Sequence, residues 1–311
     1  MPENRSYLPE GWRPTAPYSL SQLQRAMDHG DVLQGTVVRC DGSNTLTVSL
    51  GHICGSILRE DTIAPWVSGA DRDISILSTV GKDINFTVKS ITADEKGMPV
   101  IRLSRREAQE KAMEFFSQSL KSGTILSCRV THLTSFGAFL DIGYGIIALL
   151  PIELISVSRL THAQDRFRQG QKILAAVKNF DPQTRRITMT HRELLGTWME
   201  NASRFSAGDT VEGIVRSVKE YGSFIELAPN LSGLAENRML LHPGERVSVY
   251  IKTIRPERMK IKLQVIARLP ATEIINEIPY QITDGKLTHW IYSPPEYEKT
   301  SVETIFKDSD L

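Results

Sequence analysis

Cysteine is scarce in this chain: Cys40, Cys54 and Cys128 are the only three in 311 residues, with no CxxC spacing. An odd, scattered set excludes a disulfide framework and a zinc knuckle. The three thiols are expected as small buried hydrophobes. No apolar run approaches the ~18 residues of a membrane-spanning helix. The opening MPENRSYLPEGWRPTAP is polar and proline-rich, so no signal peptide and no membrane partner are expected, and the chain is placed in the cytoplasm. Also missing are GxxxxGK[ST], GxGxxG with a following acid, HExxH and GxSxG. The histidines (His29, His52, His132, His162, His191, His242 and His289) have no ligand spacing. Asp141, Asp181 and Glu226 lie too far apart in sequence for a two-metal nuclease. No enzyme, catalytic residue, metal or cofactor is expected.

A net charge of +1 says little, but its distribution says more. The balance is −2 over residues 30–104, +5 over 119–194, +3 over 208–268 and −5 over 269–311. A basic middle can attract a polyanion despite a nearly neutral total. Solvated faces that differ by chance would give the same figures.

The chain also repeats itself. GTILSCRVTHLTSFGAFLDI (123–142) aligns without a gap on GDTVEGIVRSVKEYGSFIEL (208–227). GQKILAAVKNFDPQTRRITMT (170–190) aligns likewise on GERVSVYIKTIRPERMKIKLQ (244–264). The offset falls from 85 to 74, so the third unit is about 11 residues shorter between its halves. VLQGTVVRCDGSNTLTVSL (32–50) and residues 81–104 form a fainter first copy. Three related units follow.

Each unit has the period of two that marks half-buried strands. Leu126, Cys128 and Val130 alternate with Ser127, Arg129 and Thr131, and Ala138, Leu140 and Ile142 alternate with Phe139 and Asp141. Five such short strands bury one shared face only by closing into a small barrel. LSRREAQEKAMEFFSQSL (103–120) and TMTHRELLGTWMENASRF (188–205) are rich in helix formers, with Ser104 and Thr190 as N-cap candidates. They predict short linker helices that space the barrels.

The same alternation points the aromatics outward. With Ala138, Leu140 and Ile142 inside, Phe139 shares the outer face with Asp141; in the third unit Phe224 lies outside beside Glu226. Phe136 and Tyr221 stand three residues earlier and extend that surface, unless they plug the barrel ends. Outward cations match between units: Lys178 with Lys252, and Arg186 with Lys260. Exposed rings stack bases and cations neutralise phosphates without reading sequence, which is what single-stranded nucleic acid requires. The first unit has Asn44 and Thr47 at the aromatic positions and is expected to bind RNA poorly. Trp66, in the 61–80 loop, is a partner contact or a barrel cover.

The pattern GxV…SFGAF-D-G…G…DPQTRRITMT resembles the RNA-binding repeat first described in ribosomal protein S1, over about residues 30–268. That resemblance implies OB-fold barrels and a nucleic-acid surface of two aromatics around FGxF, a histidine after the third strand and an Asp-x-x-x-Arg pair. Phe136, Phe139, Asp181 and Arg185 match in the second unit, with Pro151 in the histidine's place. Tyr221 and Phe224 match in the third, while Glu236, Arg255 and Met259 replace the rest. In the first unit roughly Leu58 takes the histidine position.

The expectation is an all-β chain of three tandem five-stranded OB barrels joined by short linker helices. Residues 1–29 are an N-terminal segment with a short helix, 30–104 a degenerate barrel and 105–121 a linker helix. A second barrel spans 122–193, a second linker 194–207 and a third barrel 208–268. An acidic extension, 269–311, carries a hairpin signal at Asp284-Gly285. By resemblance the partner is single-stranded RNA, in particular mRNA held unstructured at the small ribosomal subunit, with the first barrel as the dock. A free RNA chaperone, an RNA-decay cofactor, a protein adaptor using the aromatic faces, and a nuclease that metal-dependent RNA shortening would reveal are the alternatives.

Overall fold

The computed structural model describes residues 7–13, 15, 17–67, 73–237, 239–270 and 277–307. After helix α1 (Leu20–His29), the first barrel contains β1 (Leu33–Cys40), β2 (Leu46–Ser49), β3 (Cys54–Ile57), the short α2 (Asp73–Leu77), β4 (Asp83–Ala93) and β5 (Pro99–Ser104). Helix α3 (Arg105–Ser119) leads to β6 (Ile125–Thr134), β7 (Gly137–Asp141), β8 (Ile147–Pro151), β9 (Lys172–Asp181) and β10 (Arg186–Thr190). Helix α4 (Trp198–Ala202) precedes β11 (Thr210–Lys219), β12 (Gly222–Ala228), β13 (Leu231–Ala235), β14 (Arg246–Arg255) and β15 (Lys260–Arg268). The strands β16 (His289–Ile291) and β17 (Glu303–Ile305) form a small separate sheet.

The chain is all-β in character, with three closed five-stranded barrels of the OB type. Within each, the third strand pairs in parallel with the fifth and closes the ring, as β3 with β5, β8 with β10, and β13 with β15. The inward residues are those of the alternation: Leu126, Cys128, Val130, Ala138, Leu140 and Ile142 are buried in the second core. Val215, Ile225, Val249 and Ile261 are buried in the third. Each fully buried aliphatic contributes on the order of 1.5–3 kcal/mol. Alternation also corrects the cysteine expectation: Cys128 is buried, but Cys54 falls on the outer face of β3 and is exposed.

Two glycines set the entry to the second strand. A Cβ on Gly137 would stand 2.3 Å from the Leu150 carbonyl oxygen, and one on Gly222 would stand 2.6 Å from that of Ala235. The neighbouring strand can approach only because no side chain is there.

The connections pack closely against the barrels they join. Ser104 caps α3, its Oγ accepting the Glu107 N–H at 3.1 Å, and the helix drives Ala112, Met113 and Phe116 into the second barrel's core. The second connection is not one helix from Thr190. Gly196, at φ 83°, interrupts it, and Thr197 starts α4 through a capping box with Glu200. The N-terminal segment wedges between the first two barrels. Tyr7 stacks on Phe115 at 4.4 Å, and the Glu10 carboxylate pairs both arms of Arg105 at 2.8 Å.

The acidic extension holds the second and third barrels together. Its hairpin does not turn at Asp284-Gly285, because β16 pairs with β17 across residues 292–302. The Gly285 carbonyl instead accepts the Ile125 N–H at 3.2 Å, and the Leu287 N–H reaches the Gly123 carbonyl at 2.9 Å. Free edge groups of the second barrel thus capture the backbone that a hairpin needed. Further on, Tyr292 is buried in the third barrel's core.

Candidate nucleic-acid interface

Pairing register determines which outward residues are neighbours, because side chains directly opposite on paired strands share a face. In the second barrel it sets His132, Phe139, Leu149, Thr188 and Asn179 in one row across five strands. The third barrel's equivalent row is Ser217, Phe224, Leu234, Lys262 and Thr253. In the first it is Arg39, Thr47, Ser56, Arg102 and Ser90. Only the second and third rows carry an aromatic.

Beside Phe139 and Phe224 in those two rows sits a second ring, carried by the turn that enters the strand. Phe136 and Phe139 meet edge to face with centroids 6.0 Å apart and planes at 89°. Tyr221 and Phe224 do the same at 6.2 Å and 89°. Phe136 is 56% exposed and Tyr221 68%, so neither plugs its barrel. A perpendicular pair of this kind offers one open ring face beside a second ring edge, a platform for stacking an unpaired base.

The remaining candidates divide. Asp181 accepts the Thr184 hydroxyl at 2.6 Å and the Gln183 and Thr184 amides at 2.9 and 3.3 Å, so it shapes the β9–β10 turn. The Thr184 hydrogen bonds hold its pKa below the ordinary carboxylate value. Arg186 stands opposite Asp181, exposed, two residues along the strand from Thr188. Arg255 and Lys260 occupy the same two positions in the third barrel, both exposed and both cationic.

Arg185 and Lys178 are drawn elsewhere. Arg185, in the left-handed region at φ 55°, places its guanidinium 5.3 Å over Trp66 of the first barrel. Trp66 in turn packs on the second barrel's core, so it is a cover and not a free contact. Lys178 reaches into the extension: its Nζ is 5.1 Å over the Phe306 ring and 3.4 Å from the Ile305 carbonyl. Burial lowers its pKa. Lys252 takes the corresponding bulge position in β14, half-buried.

Two carboxylates assigned to the open face by alternation are covered. Asp141 is buried under the N-terminal segment. It accepts the Glu10 N–H at 2.8 Å and the Gly143 and Gly145 amides at 2.8 and 3.1 Å. Burial, then the nearby Glu10 carboxylate, raise its pKa. Glu226 is buried between Arg166, from a loop of the second barrel, and Arg216, whose Nε is 2.7 Å away. Both do point outward, but another segment lies over each.

Sequence reasoning missed three residues beside the aromatics. His132 stacks at a tilt on Phe139 with centroids 6.2 Å apart. Asn179 and Lys262 are exposed in the rows themselves. Each was legible only once register was known. Among the described residues no group of three His, Cys, Asp or Glu side chains could hold a metal ion. No helix there is long and apolar enough to cross a membrane.

Residues 119–192 match the S1 RNA binding domain family. The chain is 26% identical over 276 residues to small ribosomal subunit protein bS1 of Staphylococcus aureus (strain COL), covering 84% of this chain and 68% of that protein. With bS1 of Staphylococcus epidermidis it is 25% identical over 306 residues, covering 93% and 74%. A Streptococcus pneumoniae multidomain protein with nucleic acid binding domains covers 79% of this chain and 76% of its own, at 14% identity and a TM-score of 0.26.

Proposed function

We propose, from the match of residues 119–192 to the S1 RNA binding domain and the similarity of most of the chain to bS1 ribosomal proteins, that this protein binds single-stranded RNA through its second and third barrels. The observation that carries the reading is the perpendicular ring pair repeated at one register position on two barrels. Stacking accepts any base and the flanking cations accept any phosphate, so sequence preference is weak. The setting that best suits this chemistry is the small ribosomal subunit, where mRNA is held unstructured.

The first barrel then serves as the dock. Its row has arginines but no ring, and α2 exposes Ile74 at 66% and Leu77 at 46%, an apolar pair suited to protein.

Fluorescence anisotropy with a labelled single-stranded RNA and its duplex, at roughly 50 and 200 mM salt, tests the reading. Salt-sensitive binding of the single strand is expected. No binding at the lower salt would overturn it and leave the aromatic faces as protein contacts.

A further inference from the structure

The third barrel's aromatic pair does not stand alone. Beside it runs a cleft of about 360 Å³, walled on one side by Tyr221, Phe224 and Met259 and on the other by residues 157–159 of the second barrel. That volume falls within the roughly 300–1,000 Å³ of ligand sites. Its lining mixes aromatic and polar side chains and includes two exposed cations, Arg159 and Lys219, neither with a side-chain partner among the described residues. Arg216, also at the cleft, is buried and paired with Glu226, which it shares with Arg166.

The backbone leading to Arg159 is held in place by the bonds around it. The Val157 N–H donates to Asn230 Oδ1 at 2.9 Å, and Ser232 Oγ lies 2.9 Å from Ser158 Oγ. Asn230 is itself buried, at φ 68°, and donates to the Arg192 carbonyl at 2.7 Å. The backbone on the near side of Arg159 is therefore fixed to the third barrel before any ligand arrives, which lowers the ordering cost of using it.

We infer that this junction cleft is a nucleotide subsite shared by two barrels: the base stacks on one ring of the perpendicular Phe224–Tyr221 pair and meets the edge of the other, and Arg159 of the second barrel, with Lys219, meets its phosphate. The inference rests on the single-stranded RNA reading and extends it to a specific residue outside the aromatic rows.

The test is a double-mutant cycle in the full chain, Arg159→Gln with Phe224→Ala, read by anisotropy with a labelled oligoadenylate of about 16 nucleotides. Arg159→Gln is expected to weaken binding about threefold to tenfold and to lower the salt slope by about 0.7, one phosphate on a single strand. In the Phe224→Ala background it should add little. Arg25→Gln, on α1, serves as the control and should change neither quantity. If Phe224→Ala weakens binding while Arg159→Gln is silent, or acts equally in both backgrounds, the shared subsite is wrong and the RNA reading stands. If the wild-type chain binds no RNA, the reading beneath it fails as well.

Discussion

The second and third barrels share strand order, register and ring geometry, yet their outward rows differ in kind. Where the second has His132 and Thr188, the third has Ser217 and Lys262, and where the second has Asp181 the third has Arg255. One face adds aromatic surface to the pair and the other adds charge. Repetition conserved the platform, and the side chains around it set how each face depends on salt.

Covered carboxylates separate the two barrels most. Glu226 sits between two buried guanidiniums, whereas Asp141 at the equivalent position is held by backbone amides. Glu226→Gln should cost about 3–5 kcal/mol, because it leaves buried cations uncompensated. Asp141→Asn keeps an acceptor and should cost about 1–3 kcal/mol. Urea unfolding of both variants measures the gap; equal losses would show that the arginines at Glu226 relax to solvent.

Acid distinguishes the barrels next. His191, fully buried beside the Ile155 carbonyl and Tyr280, has its pKa pushed down from 6.5 to about 4 by burial. Because its folded pKa lies below the unfolded one, its stability contribution is complete above pH 6.5 and is lost as pH falls toward 4. The loss is up to about 3 kcal/mol. The third barrel has Val265 at the matching position, so hydrogen exchange at pH 4.5 should expose second-barrel amides first. In His191→Gln that difference should shrink.

On RNA, Phe139→Ala and Phe224→Ala should each weaken binding by about 1–3 kcal/mol where that barrel is engaged. Unchanged affinity in the double variant would remove both platforms at once. Lys262→Gln should have the smallest effect on affinity but lower the salt slope by about 0.7, while His132→Ala should weaken binding with the slope intact. A slope change in both, or in neither, would erase the contrast between the faces.

Much of this could be read from the chain. The two gapless offsets exposed the repeat, and alternation around Ala138, Leu140 and Ile142 turned Phe139 outward, since strand side chains change face at every residue. FGxF needed no tertiary knowledge either, for its glycine and rings lie within four residues. Asn179 and Lys262 stayed hidden because cross-strand neighbours are defined by register, which no local pattern states.

Away from the bulges, sequence alone therefore determined which side of a strand a residue occupies, because that depends only on its immediate neighbours; at the bulges between Val130 and His132 and between Val177 and Asn179 only the pairing register did. Tertiary structure decided which outward residues meet water, because the covers come from far along the chain. Glu10 lies over Asp141, Arg166 over Glu226, Trp66 against Arg185 and Phe306 against Lys178. Each is a long-range contact, made only after the barrels and their connecting segments have packed together.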